Sequence, residues 1–178
     1  MFLKEARMKQ LDIFSECEPS YSSVKKTGIV WKLFTDGASR DNPGRSGAGV
    51  YLAKDDQPVF KKGFYLGRKT NNQAEYLALL VGIFYAKKHM EEDDTLFIFA
   101  DSELLIKQMK GEYKVKNPDL KILYDIARDW LEPLNYSVCH VRREFNELAD
   151  EMANLGIDQK LHPTQEFLHA LERHNVRL

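Results

Sequence analysis

Residues 29–38 read IVWKLFTDGA, with apolar and polar side chains alternating up to the pair Asp36-Gly37. That alternation is the mark of a half-buried strand, and it places Asp36 at the strand's carboxyl end. A glycine-rich turn follows, and then GAGVYLAK (47–54) and PVFKKGFYL (58–66) read as two further strands joined by a turn at Asp55-Asp56-Gln57. The chain thus opens on an antiparallel meander.

From Thr70 the period changes to that of a helix, with Ala74, Leu77, Ala78, Val81, Phe84 and Tyr85 on one face and Glu75 one turn in. The apolar run TLFIFA (95–100) suits a buried parallel strand and delivers Asp101 at its end. A helix continues through Leu104, Leu105, Gln108 and Met109, and a second, after the Pro118 break, spans Leu120 to Leu131. YSVCHV (136–141) reads as the fifth strand. Phe145 to Leu155 reads as a helix with Leu148, Met152 and Leu155 on its inner stripe and Asp150 near its start. The order βββαβααβα predicts an α/β domain with a five-stranded mixed sheet and helices on its faces. Ligands of such sheets bind beyond strand ends, where the acids converge.

Asp36, Glu75, Asp101 and Asp150 are therefore expected to meet. Clustered carboxylates raise one another's pKa unless cations neutralise them, and hard oxygen ligands select Mg²⁺, with Mn²⁺ as the alternative ion. Two such ions about 4 Å apart serve the hydrolysis of a phosphodiester. Other chemistries are excluded. The stretch Asn42-Pro43-Gly44-Arg45-Ser46-Gly47-Ala48-Gly49 lacks the Lys-Ser/Thr ending and the helix of a nucleotide P-loop. Two cysteines, Cys17 and Cys139, support neither a disulfide framework nor a zinc site.

With 178 residues, 43% of them hydrophobic, the chain has the material for one domain with appendages. A net charge of −1 means that affinity for nucleic acid must come from local patches. The apolar stretch Tyr76 to Ala86 is about half a membrane span, and the N-terminus MFLKEARMKQ is charged where a secretory signal is apolar. These features predict a cytoplasmic protein with no membrane partner.

Four motifs in order, FTDGASRDNPGRSGAG, GRKTNNQAEYLALL, IFADSELLIKQM and HVRREFNELADEMAN, resemble those of ribonuclease HI. The resemblance covers residues 30 to 158, and it implies the RNase H-like fold. The expected organisation is an N-terminal extension at 1–28, a catalytic domain at 29–158 and a helical extension at 159–178. The implied activity is a ribonuclease H, an endonuclease cutting the RNA strand of RNA–DNA hybrids with two Mg²⁺ ions and producing 5′-phosphomonoesters. A hybrid-binding module without strong catalysis and a DNA-acting nuclease of the same superfamily are the alternatives.

By this resemblance Asp36 bridges both metals, Glu75 and Asp101 complete one shell, and Asp150 holds the metal beside the attacking water. Arg68 and Thr70 would seat a DNA phosphate, as helix-start amides and a bidentate donor favour. Asn71 and Asn72, with Gln73 beside them, would read 2′-hydroxyls, the group that distinguishes RNA from DNA. Asn42 would touch the hybrid's minor groove. Thr70 or Asn71 also has the chemistry of a helix cap. His140 stands ten residues before Asp150, where family members carry a histidine that assists product release, yet VCHV reads as strand and favours a structural role. Asn146, counted also among the substrate contacts, and Glu144 are candidates for orienting the metal ligands. Lys107, Lys110, Lys114, Lys116 and Lys121 stand where some relatives carry a basic protrusion, and as scattered charges they imply modest, salt-dependent binding.

Gln10-Leu11-Asp12-Ile13-Phe14 resembles the peptide by which bacterial replication proteins dock on the sliding clamp. The alternative is a turn packed on the domain itself.

Overall fold

The computed structural model describes residues 28–178, and the expected clamp-docking stretch, Gln10 to Phe14, lies outside them. Strand β1 (Val30–Asp41) pairs antiparallel with β2 (Gly44–Lys54), and β2 with β3 (Gln57–Lys69). Strand β4 (Thr95–Ala100) lies parallel to β1, and β5 (Asn135–His140) parallel to β4. The sheet order is β3-β2-β1-β4-β5. The mixed sheet read from the sequence is therefore the sheet observed. Its first three strands are longer than expected, β1 running five residues past Asp36.

The turns carry the chemistry that their backbone needs. Asp55 and Asp56 both adopt positive φ (45° and 66°) between β2 and β3, a conformation that short acidic side chains tolerate better than most. Helix α1 (Asn71–His89) begins in a reciprocal capping box. There Thr70 Oγ1 accepts from the Gln73 amide at 3.2 Å, and Gln73 Oε1 accepts from the Thr70 amide at 3.0 Å. Helix α2 (Glu103–Met109) is capped by Ser102, and α3 (Pro118–Leu131) by Asn117 with Pro118 in its first turn. A 3₁₀ turn (Arg143–Phe145) leads into α4 (Glu147–Gln159), and α5 (Gln165–Glu172) follows. No helix among the described residues is long and apolar enough to cross a membrane.

One face of the sheet carries the main core, where Leu33, Val50, Leu96 and Ile98 meet α1, α2 and α3. Phe167 and Leu171 of α5 are fully buried in this same core, so the C-terminal helix is packed into the domain.

Helix α4 lies on the opposite face over β1, β2 and β3. Its buried side is Ala149, Met152, Ala153, Gly156 and Ile157, whereas Leu148 is exposed. This corrects the expected stripe of Leu148, Met152 and Leu155. The physical reason is a seam of small residues. A Cβ on Gly49 would fall 1.8 Å from the Ala149 carbonyl oxygen, one on Gly47 2.2 Å from that of Ala153, and one on Gly63 1.8 Å from that of Met152. Helix and sheet touch backbone to backbone, and the helix turns its small side inward to allow it.

Candidate active site

β1 and β4 are neighbours and parallel, with Phe34 opposite Phe99, so their carboxyl ends bring Asp36 and Asp101 to one edge. Glu75 arrives from the first turns of α1. There the missing side chain of Gly37 lets β1 approach within a distance that a Cβ could not occupy, 2.2 Å from the Ala74 and Glu75 backbone. The Gly37 amide donates to Glu75 Oε2 at 3.3 Å. One oxygen from each of Asp36, Glu75 and Asp101 lies within 4.8 Å of the others.

Asp150 reaches the same region from α4. Its charge raises the pKa of Asp36, but its carboxylate stands outside the close group of three. Arg143 Nη2 donates to Asp150 Oδ1 at 3.0 Å, and Asn154 Nδ2 donates to the Asp150 carbonyl at 3.0 Å. The sequence motifs do not point to Arg143. Its only signal there is a basic residue one turn ahead of an acid-bearing helix.

The acids are under mutual strain. Burial, followed by the charges of Asp101 and Asp150, pushes Asp36 from 3.8 up to about 7. Burial, followed by Asp36 and Asp101, raises Glu75 well above the usual carboxylate range. Partly buried carboxylates that repel one another and present only oxygen are a donor set for a hard divalent cation. The residues present therefore fit the metal site that the sequence implied.

Asn146 is completely buried, and its Nδ2 donates to the Thr35 carbonyl at 3.0 Å and to Asp101 Oδ1 at 3.2 Å. Because that amide is committed inside the protein, Asn146 is placed to orient Asp101, and its expected contact with substrate is corrected. Glu144 is exposed and pairs with Arg142. His140, the last residue of β5, is exposed with Nε2 3.2 Å from the Asp101 carbonyl oxygen. It thus borders the acids instead of serving the core.

The polar run after β3 divides its work. Thr70 and Gln73 form the cap, so Gln73 spends its carbonyl oxygen on Thr70. Asn42 Oδ1 accepts from the Asn71 amide at 3.0 Å, which ties the β1–β2 turn to the start of α1. The side chains of Asn71 and Asn72 are left exposed beside it. Arg68 is the residue before the end of β3, exposed and opposite Arg45.

Residues 34–156 match the family model described as reverse transcriptase-like. The crystal structure of RNase H1 from the halophilic archaeon Halobacterium salinarum superimposes with a TM-score of 0.70 at 36% identity, over 73% of this chain and 98% of that one. The chain belongs to the ribonuclease H family. Within that family, the curated ribonuclease HI of Halobacterium salinarum is 39% identical over 127 residues, 70% of this chain. The match spans 63% of that relative's own length. LC11-RNase H1, solved in complex with an RNA/DNA hybrid, superimposes with a TM-score of 0.65 at 33% identity, over 74% of this chain and 98% of that one. The ribonuclease H resemblance read from four motifs is thus borne out, and so is the fold.

Proposed function

We propose that this chain hydrolyses the RNA strand of RNA–DNA hybrids, cutting internally and leaving a 3′-hydroxyl and a 5′-phosphate. The observation that carries it is the meeting of Asp36, Glu75 and Asp101 within 4.8 Å at one sheet edge. A hybrid substrate is supported by LC11-RNase H1, a relative solved with an RNA/DNA hybrid.

Two divalent cations held by Asp36, Glu75, Asp101 and Asp150 would supply Lewis acidity at the phosphate and lower the pKa of water, with Mg²⁺ the ion best matched to an all-oxygen set. The protein's own contribution is placement. Asp36, on the central strand, would hold a cation together with Glu75 and Asp101. Asn146 fixes the rotation of Asp101 through the hydrogen bond at 3.2 Å. The net reaction adds water across the bond between phosphorus and the 3′ oxygen, and His140, whose Nε2 is 3.2 Å from the Asp101 carbonyl oxygen, would exchange a proton as products leave.

Arg68 and the cap at Thr70 would receive a DNA phosphate, and the exposed Asn71, Asn72 and Asn42 side chains the minor groove of the hybrid. This work belongs in the cytoplasm. The pentapeptide Gln10 to Phe14 is the sole support for a sliding clamp as partner, so the proposed function stops at the hybrid.

The test is a cleavage assay on labelled hybrid, duplex DNA, duplex RNA and single strands, each with Mg²⁺, with Mn²⁺ and with a chelator. Cleavage of the RNA strand of the hybrid alone, lost with the chelator, is the expected result. Cutting of duplex DNA at comparable rates would favour a DNA-acting nuclease of the superfamily, and binding without cleavage a hybrid-binding module.

A further inference from the structure

The register of the first three strands sets Arg40 of β1 opposite Arg45 of β2, and Arg45 opposite Arg68 of β3. Residues opposite one another in an antiparallel pair point to the same face, with Cβ atoms about 5 Å apart. Three guanidiniums thus stand in one row across the sheet, and all three residues are exposed. Like charges placed directly opposite weaken a sheet, so the row calls for an anion.

One anion is built in. Arg40 Nη1 lies 2.6 Å from Asp158 Oδ1 at the end of α4. The Arg40 hydrogen bond first, and then the charges of Arg40 and Arg45, hold the Asp158 carboxyl below its usual range. That single carboxylate is spent on Arg40. Among the described residues, Arg45 and Arg68 make no ion pair of their own. In a chain of net charge −1, two adjacent unpaired guanidiniums are a local feature and not the surplus of a basic protein.

The position of the row says which anion. Arg40 stands four residues beyond Asp36 on β1, about 13 Å along the strand and on the same face by the two-residue alternation. Arg68 precedes the Thr70 cap of α1 by two residues. The hydrogen bond at 3.0 Å from the Asn71 amide to Asn42 ties the hairpin that carries Arg40 and Arg45 to the same helix start.

We propose that Arg45 is a second phosphate contact, holding the phosphate next to the one seated by Arg68 on the DNA strand of the hybrid. The inference rests on the hybrid substrate proposed for this chain. A guanidinium grips a phosphate through two parallel N–H donors, and two of them on adjacent strands fix the direction of a backbone as well as its place. Such contacts position a duplex and carry no sequence information. Arg45 therefore helps to set where the RNA strand meets Asp36, Glu75 and Asp101, without reading a base.

Binding of labelled hybrid and of duplex DNA to the full chain tests this, in chelator so that the RNA stays whole and over a range of KCl concentrations. Arg45→Gln should weaken hybrid binding about three- to tenfold at low salt. It should also flatten the dependence of log affinity on log salt by about one, the loss of one phosphate contact. Arg68→Gln should do the same, and duplex DNA should lose affinity by a similar factor. The melting temperature of Arg45→Gln should not fall, because a repulsion is removed. Arg173 lies beside Lys87 and Lys88 at the far end of α1, a helix about 28 Å long, and Arg173→Gln should keep the wild-type salt dependence.

A wild-type slope in Arg45→Gln, alongside a flattened one in Arg68→Gln, would overturn the proposal and leave the hybrid substrate standing. Equal flattening by Arg173→Gln would overturn it too, since that marks a diffuse effect of charge. A loss confined to the hybrid would remove Arg45 from the DNA strand. A wild type that binds no hybrid would bring down the proposed substrate, and this contact with it.

Discussion

The Arg143 guanidinium donates to the Asp150 carboxylate at 3.0 Å, so the acid outside the close group is the one already provided with a cation. Arg143 is largely exposed, and the pair adds little to stability. Its positive charge does oppose a divalent ion arriving at the acids. Arg143→Gln should therefore bind Mg²⁺ about two- to tenfold more tightly at low salt, with the gain shrinking as salt screens it. Titration calorimetry at two ionic strengths checks this; unchanged or weaker binding would show that Arg143 supports the metal site.

Asp36→Asn, Glu75→Gln and Asp101→Asn each keep side-chain shape and remove a charge from the close group. Each should leave a folded protein that binds hybrid yet cleaves it at least about a hundredfold more slowly. Single-turnover kinetics with saturating enzyme reports the chemical step directly. Near-normal cleavage by any one of the three would remove that residue from the catalytic set.

The raised pKa of Asp36, about 7 in the folded chain against an ordinary 3.8, makes metal-free stability depend on pH. Between those values the unfolded chain has released a proton that the folded chain keeps, so stability falls as pH rises from about 4 through 7. Glu75 acts in the same direction. Asp36→Asn removes the dependence due to Asp36. Without metal, the variant should be more stable than the wild type by a margin that grows from pH 5 to pH 8 and reaches about a few kcal/mol at most. Saturating Mg²⁺ should close the gap by stabilising the wild type. A difference in melting temperature that is constant with pH would contradict this.

Thr70 and Gln73 cap α1 by themselves, which leaves the Asn71 and Asn72 side chains without a structural task there. Replacing both by alanine should keep the melting temperature within about a degree or two, since exposed substitutions away from caps cost little. Binding to the hybrid should weaken while binding to duplex DNA stays nearly constant. Equal losses on the two duplexes would mean that these residues hold the backbone and do not read the RNA.

Gly49→Ala places a methyl group 1.8 Å from the Ala149 carbonyl oxygen. Overpacking of this kind costs about 1–3 kcal/mol and pushes α4 off the sheet. Because α4 carries Asp150, Mg²⁺ affinity should fall together with thermal stability. A stable variant with unchanged metal binding would show that the helix position does not set the site.

Much of this was legible because strand and helix periods are local. The alternation before Asp36 and the apolar run before Asp101 predict two strand ends, and parallel neighbours then bring the acids together. Three other features depend on partners distant in sequence. Asn146 has the look of a surface residue ahead of a helix, yet its amide is consumed by Thr35 and Asp101, 111 and 45 residues away. The inner side of α4 departs from the expected stripe because side-chain size, more than hydrophobicity, decides this contact. Leucines marked a stripe, while Ala149, Ala153 and Gly156 made the contact, and the glycines they meet lie on β2 and β3. Arg143 reaches Asp150 only because a 3₁₀ turn folds it back, a geometry with no fixed spacing in the chain.

The glycine seam also governs where this chain can change length. One residue inserted in α4 ahead of Asp150 would turn the helix by about 100° and advance it by about 1.5 Å. With backbone pressed on backbone at Gly47, Gly49 and Gly63, that rotation has nowhere to go. Beyond Gln159, where α4 ends and Lys160 adopts a left-handed conformation, added residues would leave the register of Asp150 untouched. Insertions and deletions among relatives should therefore collect after residue 159 and avoid the stretch from Glu147 to Gly156.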